Sequence, residues 1–499
     1  MSHSPRAVII GAGIAGIASA IRLVMQGMAV TVFEKNDHPG GKIHAFERNG
    51  YHFDAGPSLF TMPENIEELF ALAGEPIQDY FRYEKLPVTC RYVYEDGSVI
   101  NAYADKERLA AEIAEKTGES PQALASYLEA SASIFQHIGD IFINHSLHKR
   151  STLLKAPVAK ALLKTKWSYL FHSLDRYNRH AFRHPALVQL FNRFATYNGS
   201  DPYRAPGMLG LIPHLEFNSG VYYPRGGMVS IATALHQLAL RKGVQFHFGT
   251  PVQRIICHER KARGVVVNNE NIMCDLVVSN LDVYFTYGRL LNDGLMAQKL
   301  LRQERSSSAL IFYWGINRSF PELQLHNIFF SGDYAKEFRH IFGLQQPYAD
   351  PTVYVNITAK QEPGVQAPGG RENWFVMVNA PANRGQNWPV FRQQYRASVI
   401  GKLNRLLGVS LEQYIETEEI LDPVQIEEQT GSFMGSLYGT SSNSRLSAFL
   451  RHPNFSERIR GLYFVGGSVH PGGGIPLCLK SAKIMSDIVH HDMRKADRH

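Results

Sequence analysis

Cysteine is scarce in this chain: four in 499 residues, at Cys90, Cys257, Cys274 and Cys478, with no CxxC pair among them. Such scatter argues against a disulfide framework and against a cysteine-held metal, and points to a reducing, cytoplasmic setting. No apolar run approaches the ~20 residues a membrane-spanning helix needs, and no secretory leader is read ahead of the first apolar stretch. Low-complexity tracts and internal repeats are missing as well. So are a Ser-His-Asp set, a metal cluster and an obvious carboxylate pair.

What is present begins with bulk. A 499-residue chain that is 44% apolar can hold two or three domains with substantial cores. Its formal net charge of +7 has a local origin. Between Lys149 and Arg183 stand nine Lys or Arg against a single acid, Asp175, so the remainder is close to neutral. In that stretch Lys155, Lys160, Lys164 and Lys166 interleave with Leu, Val, Trp167, Tyr169 and Phe171, and Pro157 interrupts any single helix. Basic and aromatic residues so mixed fit a helix lying in an anionic membrane interface. A solvated helix face with its apolar side turned inward fits as well. No nucleic-acid module surrounds the charge, so nucleic acid is not expected as a partner.

The opening segment carries the first chemistry. Ala7 to Ile10 is too short an apolar run for a helix and suits a buried parallel strand. Gly11, Gly13 and Gly16 then fill G-x-G-x-x-G, with Ala12, Ile14 and Ala15 between them. The first glycine permits the tight turn, the second lets a pyrophosphate approach the backbone, and the third lets helix and strand pack closely. A helix beginning at Ile14 aims its N–H groups at the phosphates. Ala29 to Phe33 reads as a second buried strand, and Glu34, 23 positions after Gly11, stands where a carboxylate accepts from an adenosine ribose. Strand, triad, helix, strand and acid in register point to a dinucleotide.

Next come Pro39-Gly40-Gly41-Lys42 and Phe53-Asp54-Ala55-Gly56-Pro57-Ser58. E-K-x-x-x-P-G-G-[KR] followed by F-D-x-G-P resembles the FAD-binding amine-oxidase and carotenoid-desaturase superfamily. The resemblance implies FAD, with Lys35 beside the ribose acid, Gly41 and Lys42 along the diphosphate, and Gly56, Pro57, Ser58 and Leu59 bordering the flavin ring. It also marks YPRGGM (223–228) and PVQRI (251–255) as family segments. By it, Val252 meets the adenine through its backbone, against an ordinary strand role. Asn280 and Leu281 end a strand returning toward the flavin.

The C-terminal segment narrows this further. Gly461 to Val465 reads as a buried strand delivering Gly466 and Gly467, with a helix near Leu477 to Val489 beyond. Ser468-Val469-His470-Pro471-Gly472-Gly473-Gly474-Ile475-Pro476 resembles bacterial-type carotenoid desaturases, the phytoene desaturase family, where an amine oxidase would carry an acid. Gly467, Gly474, Ile475 and Pro476 are carried over as flavin contacts. GPSLFTMPE (56–64) and NWFVMVNAP (373–381) are similar to the 1-hydroxycarotenoid 3,4-desaturase branch. The implied reaction takes hydrogen from a C40 isoprenoid and lengthens its polyene by one double bond. A multi-step phytoene desaturase, a flavin amine or porphyrinogen oxidase, and a non-enzymatic isoprenoid binder of the GDP-dissociation-inhibitor type are the alternatives. His470, His214 and Glu216 are the candidate proton carriers, against a purely structural role for each.

The expected fold class is α/β: a discontinuous Rossmann-like FAD-binding domain, a mixed-sheet substrate domain and a helical membrane-facing insertion. The FAD-binding parts span 1–75, 216–290 and 456–499. The substrate domain spans 76–105 and 291–455, and the insertion 106–215. Helices are expected over 64–73 and 229–242, strands around an Asp96-Gly97 turn in 90–103, and a meander over 243–282. Aromatic and branched strands at 309–316, 326–330, 351–357 and 373–381 would line an apolar tunnel. The enzyme is expected as a peripheral protein on the inner face of the cell membrane.

Overall fold

The computed structural model describes residues 4–149, 172–444 and 451–496. Most of the basic stretch, 150–171, lies outside them. Its described flanks are engaged: Lys149 pairs with Asp492 at 3.4 Å and Arg179 with Asp175 at 2.8 Å.

The opening run forms the strand Arg6–Ile10, central in a five-stranded sheet. The order across it is Leu462–Phe464, Leu276–Ser279, Arg6–Ile10, Ala29–Phe33, Gln245–His247, and every neighbouring pair is parallel. A parallel sheet is covered on both faces, which explains why these strands are continuously apolar. Ala7 and Ile9 turn to one side, onto the helices Ile14–Met25, Val229–Arg241 and Ile475–Ala496. Val8 and Ile10 turn to the other, onto a small antiparallel sheet of Val252–His258, Lys261–Val267 and Glu270–Met273.

Here the structure refines the meander expected over 243–282. Only its middle is antiparallel; the end strands Gln245–His247 and Leu276–Ser279 leave it for the parallel sheet. The cause is burial. Leu276, Val277, Val278 and Ser279 are all buried, a pattern that a half-exposed meander strand cannot satisfy.

A seven-stranded mixed sheet forms the second body, in the order Ile415–Leu421, Ser308–Ile316, Glu372–Ala380, Val353–Ile357, His326–Phe329, Val88–Val93, Val99–Tyr103. All its pairings are antiparallel except His326–Phe329 with Val88–Val93. On one side Phe329, Val353, Val355, Trp374 and Val376 join a core that includes Tyr395, Val399 and Leu403 of the helix Trp388–Leu407. On the other, Cys90, Tyr92 and Ile328 meet Tyr127, Phe182, Phe191, Phe194 and Phe217 from the helical region.

Those helices start where their residues dictate. Asp105 and Ser120 accept hydrogen bonds from the backbone N–H of Arg108 and Ala123, opening Lys106–Thr117 and Pro121–Ile134, and Pro121 occupies a first-turn position where its missing N–H costs nothing. Ser173 and His184 cap Leu174–Ala181 and Pro185–Asn192 in the same way. Among the described residues no helix is long and apolar enough to cross a membrane.

Candidate active site

The glycine triad is a cradle with no room for side chains. Gly11 turns at φ +97°, and its N–H donates to the Phe33 carbonyl at 2.8 Å. A Cβ on Gly16 would lie 2.1 Å from the Gly11 carbonyl oxygen, and one on Gly41 would lie 3.0 Å from Gly13 Cα. Ile14 and Ala15 begin the helix, where first-turn N–H groups have no carbonyl of their own to bond. Glu34 folds back over this turn, only 6% exposed. Its carboxylate accepts from Ala12 N at 2.7 Å and Asn36 N at 2.9 Å.

Asn280 joins the two ends of the chain. Its Oδ1 accepts from Gly16 N at 3.0 Å while its Nδ2 donates to the Val465 carbonyl at 3.2 Å. Gly13 and Gly466 must lack side chains for this, since a Cβ would stand 2.7 Å and 2.5 Å from the two ends of that amide. Leu281 packs beneath Gly11. Asn280 thus acts as a brace between the N-terminal and C-terminal glycine turns, with its amide occupied inside the protein.

The second glycine group sits directly on the first. Gly40 N–H donates to the Ala12 carbonyl at 2.8 Å, and Gly56 approaches the Lys42 carbonyl so closely that a Cβ would be 1.8 Å away. Lys42 extends inward to donate to the Leu437 carbonyl at 2.8 Å, and burial pushes its ammonium pKa down. Lys35 reaches the Glu428 carbonyl at 2.5 Å. Asp54 accepts from Met228 N at 2.8 Å and Val229 N at 3.2 Å, capping the helix Val229–Arg241. Burial raises its pKa to about 6 against the pull of those two N–H groups. A Cβ on Gly227 would stand 2.8 Å from Asp54 Oδ2, so the F-D-x-G-P and Y-P-R-G-G-M segments are two sides of one contact. The sequence shows both motifs and conceals their joining. Val252 lies in the small antiparallel sheet, paired with Val267.

At the C-terminal turn, Gly474 has no described residue within 4 Å of its missing Cβ and stands immediately before the helix that Ile475 and Pro476 begin. Gly467 packs on Gly473, and its carbonyl accepts from the buried Arg451 guanidinium at 3.2 Å. Arg451 also bonds the Tyr438 and Thr440 carbonyls, and burial lowers its pKa to about 10. It bears no motif that a single sequence displays. His470 is wholly buried, and its Nε2–H donates to the His145 carbonyl at 2.8 Å while Phe142 packs edge-on. Burial lowers its pKa to about 4, so the ring is neutral and ties the turn to the helical region.

The other two proton-carrier candidates stand elsewhere, between the large sheet and the helices. Glu216 is 2% exposed and pairs with Arg193 at 2.9 Å. Tyr197 donates to the same carboxylate, and Arg193 also bonds the Tyr92 hydroxyl at 2.7 Å. His214 accepts at Nδ1 from Asn218 at 2.8 Å and stacks on Phe135, with burial lowering its pKa. Nearby, Ser58 Oγ bonds the Tyr354 hydroxyl at 2.8 Å, and Leu59 packs with Leu86, Val221, Tyr223 and Leu325.

These residues fit a flavin dinucleotide. The side-chain-free cradle at Gly13, Gly16 and Gly41 would hold a diphosphate against the N–H groups at the start of Ile14–Met25, with Glu34 the acid beside that turn for a ribose. Residues 14–490 match the model of the flavin containing amine oxidoreductase family. The chain belongs to that family. This flavin amine oxidoreductase is an FAD-dependent enzyme. It is 48% identical to a 1-hydroxycarotenoid 3,4-desaturase from Flavobacterium sp. (strain P99-3), covering 97% of this chain and 99% of that one. It is 33% identical to a 4,4'-diapolycopene oxygenase from Methylomonas sp, covering 99% of each. An oxidoreductase structure from Methanosarcina mazei shares the fold, with TM-score 0.63 at 15% identity over 97% of this chain and 100% of that one. Among the described residues no group of three or more His, Cys, Asp or Glu side chains is placed to hold a metal.

Proposed function

We propose that this enzyme desaturates the C3–C4 bond of a 1-hydroxycarotenoid. The observation carrying this reading is the 48% identity to a desaturase of that description, running through almost the full length of both chains. The reaction removes a hydride and a proton from adjacent carbons; bound FAD would supply the hydride acceptor. The protein's task is then to hold an unreactive hydrocarbon in place and exclude water. A polyene is recognised by shape and burial, having almost nothing to hydrogen-bond.

Product analysis tests the reading. FAD-loaded enzyme in liposomes is expected to convert a 1-hydroxycarotenoid to its 3,4-didehydro product and to leave phytoene untouched. Stepwise conversion of phytoene, or peroxide release from an amine, would replace it. An oxygenated product, as the name of the Methylomonas relative describes, would also overturn it.

Docking on the inner face of the cell membrane belongs to the same proposal, since so apolar a substrate is delivered from lipid. The basic, aromatic stretch from Lys149 to Arg183 supports it. Neutralising Lys160, Lys164 and Lys166 together is expected to weaken binding to anionic vesicles by about 1 kcal/mol per charge. Unchanged co-sedimentation would remove the stretch from the membrane surface.

A further inference from the structure

One buried imidazole beside the flavin turn is left with a bond to make. His326 opens the strand His326–Phe329 and lies directly opposite Asn356, one diagonal step from Tyr354. All three therefore project from the same face of the sheet, the face carrying Ile328 and Tyr92 toward the helices. His326 is only 2% exposed.

Two groups crowd Nδ1 and favour a hydrogen on the other ring nitrogen. The Asn356 amide nitrogen donates to the Leu325 carbonyl at 3.3 Å and to His326 Nδ1 at 3.1 Å, which makes Nδ1 an acceptor. The Tyr354 hydroxyl meets the same nitrogen at 2.7 Å. Burial lowers the pKa of the ring to about 3, so it is neutral and carries a single hydrogen, on Nε2. Among the described residues that Nε2 is sealed from solvent and has no partner. A buried donor without an acceptor is unusual in a folded protein, and a ligand oxygen would satisfy it.

The chain of contacts links this donor to the turn that the family resemblance sets beside the flavin ring. Tyr354 bonds both His326 and Ser58, so the imidazole is two hydrogen bonds from the turn Gly56-Pro57-Ser58. The proposed substrate demands such a neighbour. A hydroxyl on C1 lies only two carbons from C3, roughly 4–5 Å from the bond being oxidised by ordinary single-bond lengths. Its recognition group must therefore sit beside the reaction centre and not at a remote tunnel end.

We propose that His326, oriented by Asn356 and Tyr354, donates its Nε2–H to the substrate hydroxyl and thereby selects hydroxylated over unhydroxylated carotenoids. The proposal rests on the 1-hydroxycarotenoid reading above. His326 is the specificity residue, and Tyr354 and Asn356 are positioning residues that act through it.

The test compares kcat/KM of the full-length, FAD-loaded enzyme in liposomes for a 1-hydroxycarotenoid and for the same carotenoid lacking the hydroxyl. In His326→Phe the preference for the hydroxylated substrate is expected to fall roughly 10- to 100-fold, the worth of one buried hydrogen bond. Turnover of the unhydroxylated one should change little. His326→Gln, which keeps an N–H donor, should retain part of the preference, and Tyr354→Phe should lower it severalfold. Flavin content and the thermal midpoint report whether each variant is folded; if His326→Phe does not fold, the glutamine and Tyr354 variants decide. An unchanged preference in the folded variants overturns the role of His326 while leaving the function standing. Wild-type enzyme that is indifferent to the hydroxyl overturns both.

Discussion

Replacing Gly16 by alanine is expected to yield enzyme isolated without flavin and less stable by about 3 kcal/mol, the upper range for forcing atoms into a packed site. The new methyl carbon would stand 2.1 Å from the Gly11 carbonyl and 3.0 Å from Asn280 Oδ1. Neither neighbour can retreat easily. Gly11 belongs to the turn whose N–H bonds the Phe33 carbonyl, and Asn280 is held from Ile10 on one side and Val465 on the other. Relief would push the helix start off the sheet and spoil the diphosphate cradle together with the brace to the C-terminal turn. Gly294→Ala is the control: it sits at a helix start with no described residue within 4 Å of the added carbon. That variant should keep its flavin and melt at or above the wild-type temperature. Flavin absorbance of the purified proteins and their thermal midpoints check both.

The second large effect concerns the buried pair between Arg193 and Glu216. Breaking it from either side, by Arg193→Met or Glu216→Gln, is expected to cost about 3–5 kcal/mol, because the remaining partner keeps its desolvation penalty and loses its counter-charge. Removing both charges, in Arg193→Met combined with Glu216→Leu, should recover most of that stability, since well-packed apolar side chains are a fair exchange for a buried ion pair. The setting favours recovery, because Phe194 and Phe217 already pack around the pair. Chemical denaturation of the three variants measures this. Activity separates structure from chemistry: a double variant that is stable but inactive assigns Glu216 a part in proton removal, whereas a stable and active one confines it to the fold.

The nucleotide half of the site was open to reading from residues alone because its signals are short-range. Strand, glycine triad, helix, second strand and Glu34 follow one another within the first 34 residues, and each local preference agrees with the next. The strands at 309–316, 326–330, 351–357 and 373–381 were legible for a similar reason: branched and aromatic runs of that length suit buried strands. The four appear as Ser308–Ile316, His326–Phe329, Val353–Ile357 and Glu372–Ala380. The roles of polar residues were harder. Asn280, Asp54 and His470 were singled out through motifs, yet their hydrogen bonds run to Gly16, Met228 and His145, each far away along the chain. Arg193 and Arg451 carry no motif, and their importance comes from burial.

The sequence by itself determined the cofactor class and the local units that hold it, because a turn without side chains beside a helix start is built from adjacent residues. Tertiary structure decided which polar groups meet. Side chains alternate faces along a strand, so only the register of His326–Phe329 against Val353–Ile357 puts His326, Tyr354 and Asn356 on one face. Only burial in the assembled fold makes that imidazole neutral and leaves its Nε2 without a partner among the described residues. Those are properties of packing between segments far apart in the chain, and no local pattern of residues encodes them.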